Sequence, residues 1–298
     1  MGIFNWSNKP KRRPKKIKSD TSLECKVDGT SKYCGKDKPL RPMIARAGGK
    51  SQLANKIISK MKPHESYNEP FLGGGAVFLK KPLAKKNYIN DKDKDVVAVF
   101  KTFKNGVGFQ KCDMTPSKKK FDKIKNKKDK SACDVVYLNK LSFGSSGTTF
   151  ALGENMHKKK DPSYKKRWGH IVNNKNAGIG YQKAHIDDYK EKLKNTTIMA
   201  TDFKKAVEAT KNIKDSVTFM DPPYYGADKM YKERGVTPKE VCDVAKQMKG
   251  QVIITYNDVP EVRKHCSKGF KVEKISSRFI LQADSNNKKS KELLIIKN

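Results

Sequence analysis

The chain has 298 residues, but only 36% are apolar and 33% are charged, so its core must be concentrated in part of the length, as one large domain or two modest ones. The 66 lysines and arginines against 31 acidic residues give a formal net charge of +35, which suits a polyanionic partner: nucleic acid first, an anionic membrane surface second. No stretch reaches the roughly 18 apolar residues of a membrane span, and no apolar segment follows the first methionine, so a spanning or secreted protein is not expected.

Residues 1–39 form a basic tail, centred on Lys9-Pro10-Lys11-Arg12-Arg13-Pro14-Lys15-Lys16, with too little apolar content to fold. Phosphate binding, a nuclear address or a passive solvated arm are open roles for it. The six cysteines, Cys25, Cys34, Cys112, Cys133, Cys242 and Cys266, include no C-x-x-C pair and no histidine at zinc spacing. Reduced thiols in an intracellular protein, and no metal site, are the expectation.

Order is predicted from about Pro39. Gly49-Lys50-Ser51 mimics the end of a phosphate-binding loop, but that motif needs a glycine where Ile44 stands. The pattern then turns helical, with Leu53, Ile57 and Met61 on one face. Tyr67 to Leu79 reads as a strand end, a glycine turn at Gly73-Gly74-Gly75 and a short helix that Pro82 stops. The dinucleotide fingerprint fails at its third glycine, where Phe78 stands. Tyr88-Ile89-Asn90-Asp91 is a second strand ending in an acid, where α/β nucleoside sites hold ribose hydroxyls. A helix follows, from near Asp93 to before Gly106.

Between 105 and 195, lysine runs alternate with the aromatics Phe121, Phe143, Phe150, Tyr164, Trp168 and Tyr181. Such a surface grips phosphates and touches or wedges bases; a solvated insertion with a small aromatic core is the plainer alternative. Cys133 to Leu141 reads as an apolar helix leading into a flexible loop, Phe143 to Gly147. The α/β pattern resumes at Thr196 to Phe203, a strand ending in Asp202 and an aromatic. Thr237-Pro238-Lys239-Glu240 is a capping box opening a helix. Gln251 to Tyr256 is a buried strand, and Phe270–Ile275 with Lys291–Ile296 finish the sheet as an antiparallel pair.

The most informative stretch is Val217-Thr218-Phe219-Met220-Asp221-Pro222-Pro223-Tyr224. A short apolar strand is ended by an acid and a stiff diproline turn, at the sheet edge where open α/β folds bind ligands. The Asp221 carboxylate and Pro222 carbonyl are two acceptors beside the flat Tyr224 ring. They suit a planar base bearing an amino group.

Together, Ala47-Gly48-Gly49-Lys50, Asn68 to Gly75, Asn90-Asp91, Leu138-Asn139-Lys140 and Asp221-Pro222-Pro223-Tyr224 resemble the Dam-like DNA adenine methyltransferases. Their order is that of the class with the cofactor motif first and D-P-P-Y last. The likeness runs from about 40 to the C-terminus, including Lys288 to Leu294, and is thin between 105 and 195. It implies an α/β fold: a Rossmann-like seven-stranded methyltransferase sheet (40–104 and 196–298) with an inserted, mainly helical target-recognition region (105–195). It further implies S-adenosyl-L-methionine as cofactor and double-stranded DNA as partner, with room for a cognate restriction nuclease.

By the same resemblance Asp221, Pro222 and Tyr224 are the catalytic residues. Arg46, Lys50, Phe71, Gly73, Gly75, Asp91, Asp202, Phe203 and Asp221 line the cofactor cleft. Lys50 would meet the methionine end, Asp91 the ribose hydroxyls, and Asp202 with Phe203 the adenine ring. The chain departs from the family pattern at Ala45, at Arg46 (usually aromatic), at Lys140 (usually arginine) and at Phe143 to Gly147. Methylation of RNA or of cytosine, and a catalytically silent basic packaging protein on the same scaffold, are the competing readings.

Overall fold

The computed structural model describes residues 26–28, 31–33, 39–46, 48–106, 109–151, 178–226, 235–278 and 289–298. The basic tail thus lies almost wholly outside the described residues. Near its end Lys26–Asp28 (β1) and Ser31–Tyr33 (β2) pair as an antiparallel ribbon. Tyr164, Trp168 and the lysine runs around them are also outside.

The body runs α1 (Ala54–Ile58), β3 (Ser66–Glu69), β4 (Lys86–Asn90), α2 (Lys94–Asn105), α3 (Lys118–Lys125), α4 (Ala132–Leu141), α5 (Gly180–Ala184) and α6 (Ile186–Leu193). It continues with β5 (Thr196–Met199), α7 (Phe203–Val207), β6 (Ser216–Met220), α8 (Pro238–Gln247), β7 (Gln251–Asn257), α9 (Pro260–Cys266), β8 (Lys271–Arg278) and β9 (Lys289–Lys297). Strands β3 to β9 form one sheet in the order β5-β4-β3-β6-β7-β9-β8. The first five are parallel; β9 runs antiparallel to both β7 and β8. This is the α/β, Rossmann-like seven-stranded sheet expected. From β3 the chain crosses to β4 and β5 on one side, then to β6 and β7 on the other. The switch point therefore lies between β3 and β6.

Alternation along the strands divides the core into two layers. Val217, Phe219, Ile253, Leu294 and Ile296 face the cluster built with α1, α2, α4 and α6. Met220, Val252, Ile254, Tyr256, Leu293 and Ile295 face the cluster with α7, α8 and α9. Local signals set the helix ends. The Asp93 side chain accepts from Asp95 N–H at the start of α2, and Gly106 closes it at φ 67°. Thr237 and Glu240 make a reciprocal capping box on α8. Among the described residues the insertion shares the core of the sheet: Phe109, Phe121, Val136, Tyr137 and Leu138 join the first cluster.

Four expectations need correction. Residues 76–80 form successive turns, not a helix. Phe121 is buried, so it serves packing and not base contact. The loop after α4 is tied down: Gly147 N–H donates to Ser142 Oγ at 2.7 Å and Asn139 Nδ2 to Ser145 O at 3.0 Å. Most consequentially, Cys112–Cys133 and Cys242–Cys266 are disulfides, each with Cα atoms 5.5 Å apart. Helix packing brings together cysteines that local spacing rules treat as unrelated. Cys25 and Cys34 lie outside the described residues.

One carboxyl inside this core is unusual. Glu69, at the end of β3, is fully enclosed; it accepts from Tyr67 O–H at 2.7 Å and from the Phe78 amide. Burial, reinforced by the Asp221 charge, pushes it up to about 8.

Two outcomes follow. Replacing Cys112 and Cys133 by serine opens a loop of 21 residues and should lower unfolding free energy by about 2–4 kcal/mol. Dithiothreitol should then shift the melting curve of the wild type more than that of the variant. Native Glu69 keeps a proton that the unfolded chain has lost above its ordinary value of 4.5, so wild-type stability falls as pH rises. The slope approaches about 1.4 kcal/mol per pH unit between about 5 and 8. Glu69→Gln removes this contribution, and denaturant titrations should show the variant gaining on the wild type across that window.

Candidate active site

The carboxyl ends of β3, β4 and β5 are joined by one side chain. Buried Asn90 donates through Nδ2 to Pro70 O at 2.9 Å and Thr201 O at 3.0 Å, and its Oδ1 accepts from Thr201 N–H at 3.0 Å. The loops carrying Phe71, Asp91 and Asp202 are thereby set against one another. Asp91 accepts from Gly73 N–H at 2.7 Å and from Asp93 N–H at 2.9 Å, one bond to each oxygen. Burial raises its carboxyl above the ordinary range, while those amides and the Arg46 charge oppose the rise. Gly73 and Gly75 take φ of 51° and 70°, conformations that favour glycine. Packing demands them too, because a Cβ on Gly74 would stand 2.4 Å from Ile44 O and one on Gly75 2.6 Å from the Phe100 ring.

Phe71 and Phe203 stack with centroids 5.1 Å apart. Asp202 is exposed and caps α7, accepting from Lys204 N–H at 2.9 Å. Arg46 forms an ion pair with Asp93 beside Gly73. Ala47 is outside the described residues.

On the other side of the switch point, every residue of β6 is buried, and Asp221 follows it directly. Among the described residues, both contacts of its carboxylate fall on Oδ1: Lys50 Nζ at 2.9 Å and Thr255 Oγ1 at 2.7 Å. Lys50 is only 5% exposed and also donates to Gly48 O. Its ammonium lies 3.8 Å from Glu292 Oε2, the same oxygen that accepts the Tyr224 O–H. The Tyr224 ring has the Lys50 ammonium 4.8 Å from its centroid and Tyr256 at 6.0 Å. Burial raises the Asp221 carboxyl, with Lys50 and Thr255 opposing the rise and Glu292 adding to it. Lys50, Asp221 and Tyr224 are thus brought into one cluster.

Sequence reasoning missed Glu292 and Thr255. The available signal was slight: Glu292 is an acid heading the apolar run Leu293 to Ile296, and Thr255 a hydroxyl within a strand of buried residues. Asn139, noted in the L-N-K motif, proves to be a tie. Its Oδ1 accepts from Ala45 N–H at 3.0 Å and its Nδ2 donates to Ala45 O at 2.7 Å, joining the insertion to the segment before Lys50. Beyond it Phe143 stands 72% exposed.

Comparison with known proteins bears on this arrangement. No curated protein is significantly similar to the chain. Among solved structures, protein LPL1258 from Legionella pneumophila is similar over 68% of this chain and 85% of its own, at 15% identity and a TM-score of 0.23. The family model for D12 class N6 adenine-specific DNA methyltransferases matches residues 47–279, most of the chain, a span that holds Lys50, Asp91 and Asp221 and ends before Glu292. The chain belongs to that family of adenine-specific DNA methyltransferases.

Proposed function

We propose that the chain transfers a methyl group from S-adenosyl-L-methionine to the exocyclic amine of an adenine flipped out of duplex DNA. One observation carries this reading: Oδ1 of Asp221 is fixed by Lys50 and Thr255, and neither contact uses Oδ2. That leaves Oδ2, at the end of β6 and one residue before the Pro222 carbonyl, as the acceptor assigned to the amine in this reading.

The residues opposite fit the methyl donor. A glycine turn without side chains, an acid able to accept hydroxyl protons (Asp91) and a stacked aromatic pair (Phe71, Phe203) surround the carboxyl ends of β3 to β5. When bound there, the donor supplies an electrophilic methyl group. Everything else falls to the protein. The amine lone pair of adenine is delocalised into the ring and is a weak nucleophile. Accepting one amine proton on Asp221 and the other on the Pro222 carbonyl favours a more tetrahedral nitrogen and holds it in line. As the new N–C bond forms and the C–S bond breaks, the amine sheds one proton along the hydrogen bond towards Asp221.

The amine lies inside the duplex, so the base must leave the stack, and Tyr224 offers a face for it. Exposed lysines on α3 (Lys118, Lys119, Lys123, Lys125) suit the phosphate backbone. The family supports adenine in DNA over RNA or cytosine as acceptor. The intact cluster around Asp221 argues against a silent scaffold.

Methyl-acceptor assays on duplex DNA, single-stranded DNA and RNA test the reading; incorporation confined to adenine of duplex DNA is the expected result. Asp221→Ala should lose about a hundredfold to a thousandfold in rate, as removal of a charge-stabilising group does elsewhere, and a melting curve should show that it still folds. Near-normal transfer by that variant would end the proposal. Replacing Lys119 and Lys123 by alanine should lower the salt slope of duplex binding by up to about 2, one for each phosphate no longer neutralised. An unchanged slope would place the DNA on another face.

A further inference from the structure

Glu292 is brought to the site by topology. Strand β9 is inserted antiparallel beside β7, with Glu292 opposite Asn257 and Leu294 opposite Thr255. Its side chain is 7% exposed, and one oxygen, Oε2, serves two partners: the Tyr224 O–H and, at 3.8 Å, the Lys50 ammonium. Asp221 meets the same ammonium at 2.9 Å. An ammonium facing a single buried carboxylate closes on it and is free to bridge both oxygens. A second carboxylate draws part of its donor capacity away.

We propose that Glu292 is a positioning residue for methyl transfer: it anchors the Tyr224 ring by its phenol and shares Lys50, so that Asp221 keeps an oxygen open for the amine. This rests on the function proposed above. Nothing in the chemistry of the reaction requires Glu292 to touch the substrate; it acts through Tyr224 and Lys50.

Two variants separate the two jobs. Glu292→Gln keeps the shape and an acceptor for the phenol but removes the charge. Tyr224→Phe keeps the ring and the charge but removes the anchor. For Glu292→Gln, kcat should fall about 10- to 100-fold, the effect of losing one charged interaction, while KM for duplex stays near the wild-type value. Its acid limb of kcat/KM should also move to lower pH. Among the described residues, the groups facing Asp221 are Lys50, Thr255, Glu69 and Glu292, and deleting the charge of Glu292 makes Asp221 easier to ionise. For Tyr224→Phe, KM for duplex should rise about threefold to tenfold, with the acid limb unmoved.

Melting curves show whether each variant folds, and calorimetric affinity for S-adenosyl-L-methionine should stay close to wild type. A Glu292→Gln enzyme with normal kcat and an unmoved limb overturns the proposal. If that variant does not fold, an unchanged KM in Tyr224→Phe overturns it instead. A wild type that methylates no DNA sinks the function itself, a different result from a wild type that works and variants that match it.

Discussion

A buried ammonium between two carboxylates is the constraint on which the site depends. Lys50 reaches it from the segment before α1, Asp221 from the end of β6, and Glu292 from β9; Thr255 of β7 completes the cluster. Unpaired, any one of these charges would be costly to bury, and removing one partner of a buried pair costs about 3–5 kcal/mol. The cluster therefore forms only when segments far apart in sequence are all in place. Its geometry is a property of the whole sheet.

The same logic ties the insertion to the segment that carries Lys50. The insertion shares the apolar layer of the sheet, and Asn139 exchanges two hydrogen bonds with Ala45. Ala45 lies a few residues before Lys50 in a segment without regular secondary structure. A movement of α4 on encountering DNA would be felt at that segment, because the bonds of Asn139 are made to backbone atoms. The Cys112–Cys133 disulfide limits how far the start of α4 can separate from the turn after α2.

Much of this was legible in the residues. An apolar run ended by Asp221-Pro222-Pro223 fixed β6 and its exit, since proline leaves few alternatives. Asp93 and Gly106 marked α2 because capping is local chemistry. The antiparallel end of the sheet followed from two apolar runs near the C-terminus. What escaped was non-local. Pairing of Cys112 with Cys133, and of Cys242 with Cys266, depends on how helices pack. Glu292 becomes significant only once β9 is known to lie next to β7. Residues 76–80 missed helix for a different reason: the glycine turn before them imposes its own backbone path, and the chain continues in turns.

The central claim is that the diproline corner receives the amino group of an extruded adenine. It is tested most directly by a crystal structure of the full chain with duplex DNA and a non-transferring analogue of the methyl donor. The account predicts the target adenine outside the stack, its amine within hydrogen-bonding distance of Asp221 Oδ2 and the Pro222 carbonyl. A base left stacked in the duplex, or an amine held by other residues while Asp221 faces elsewhere, would contradict it.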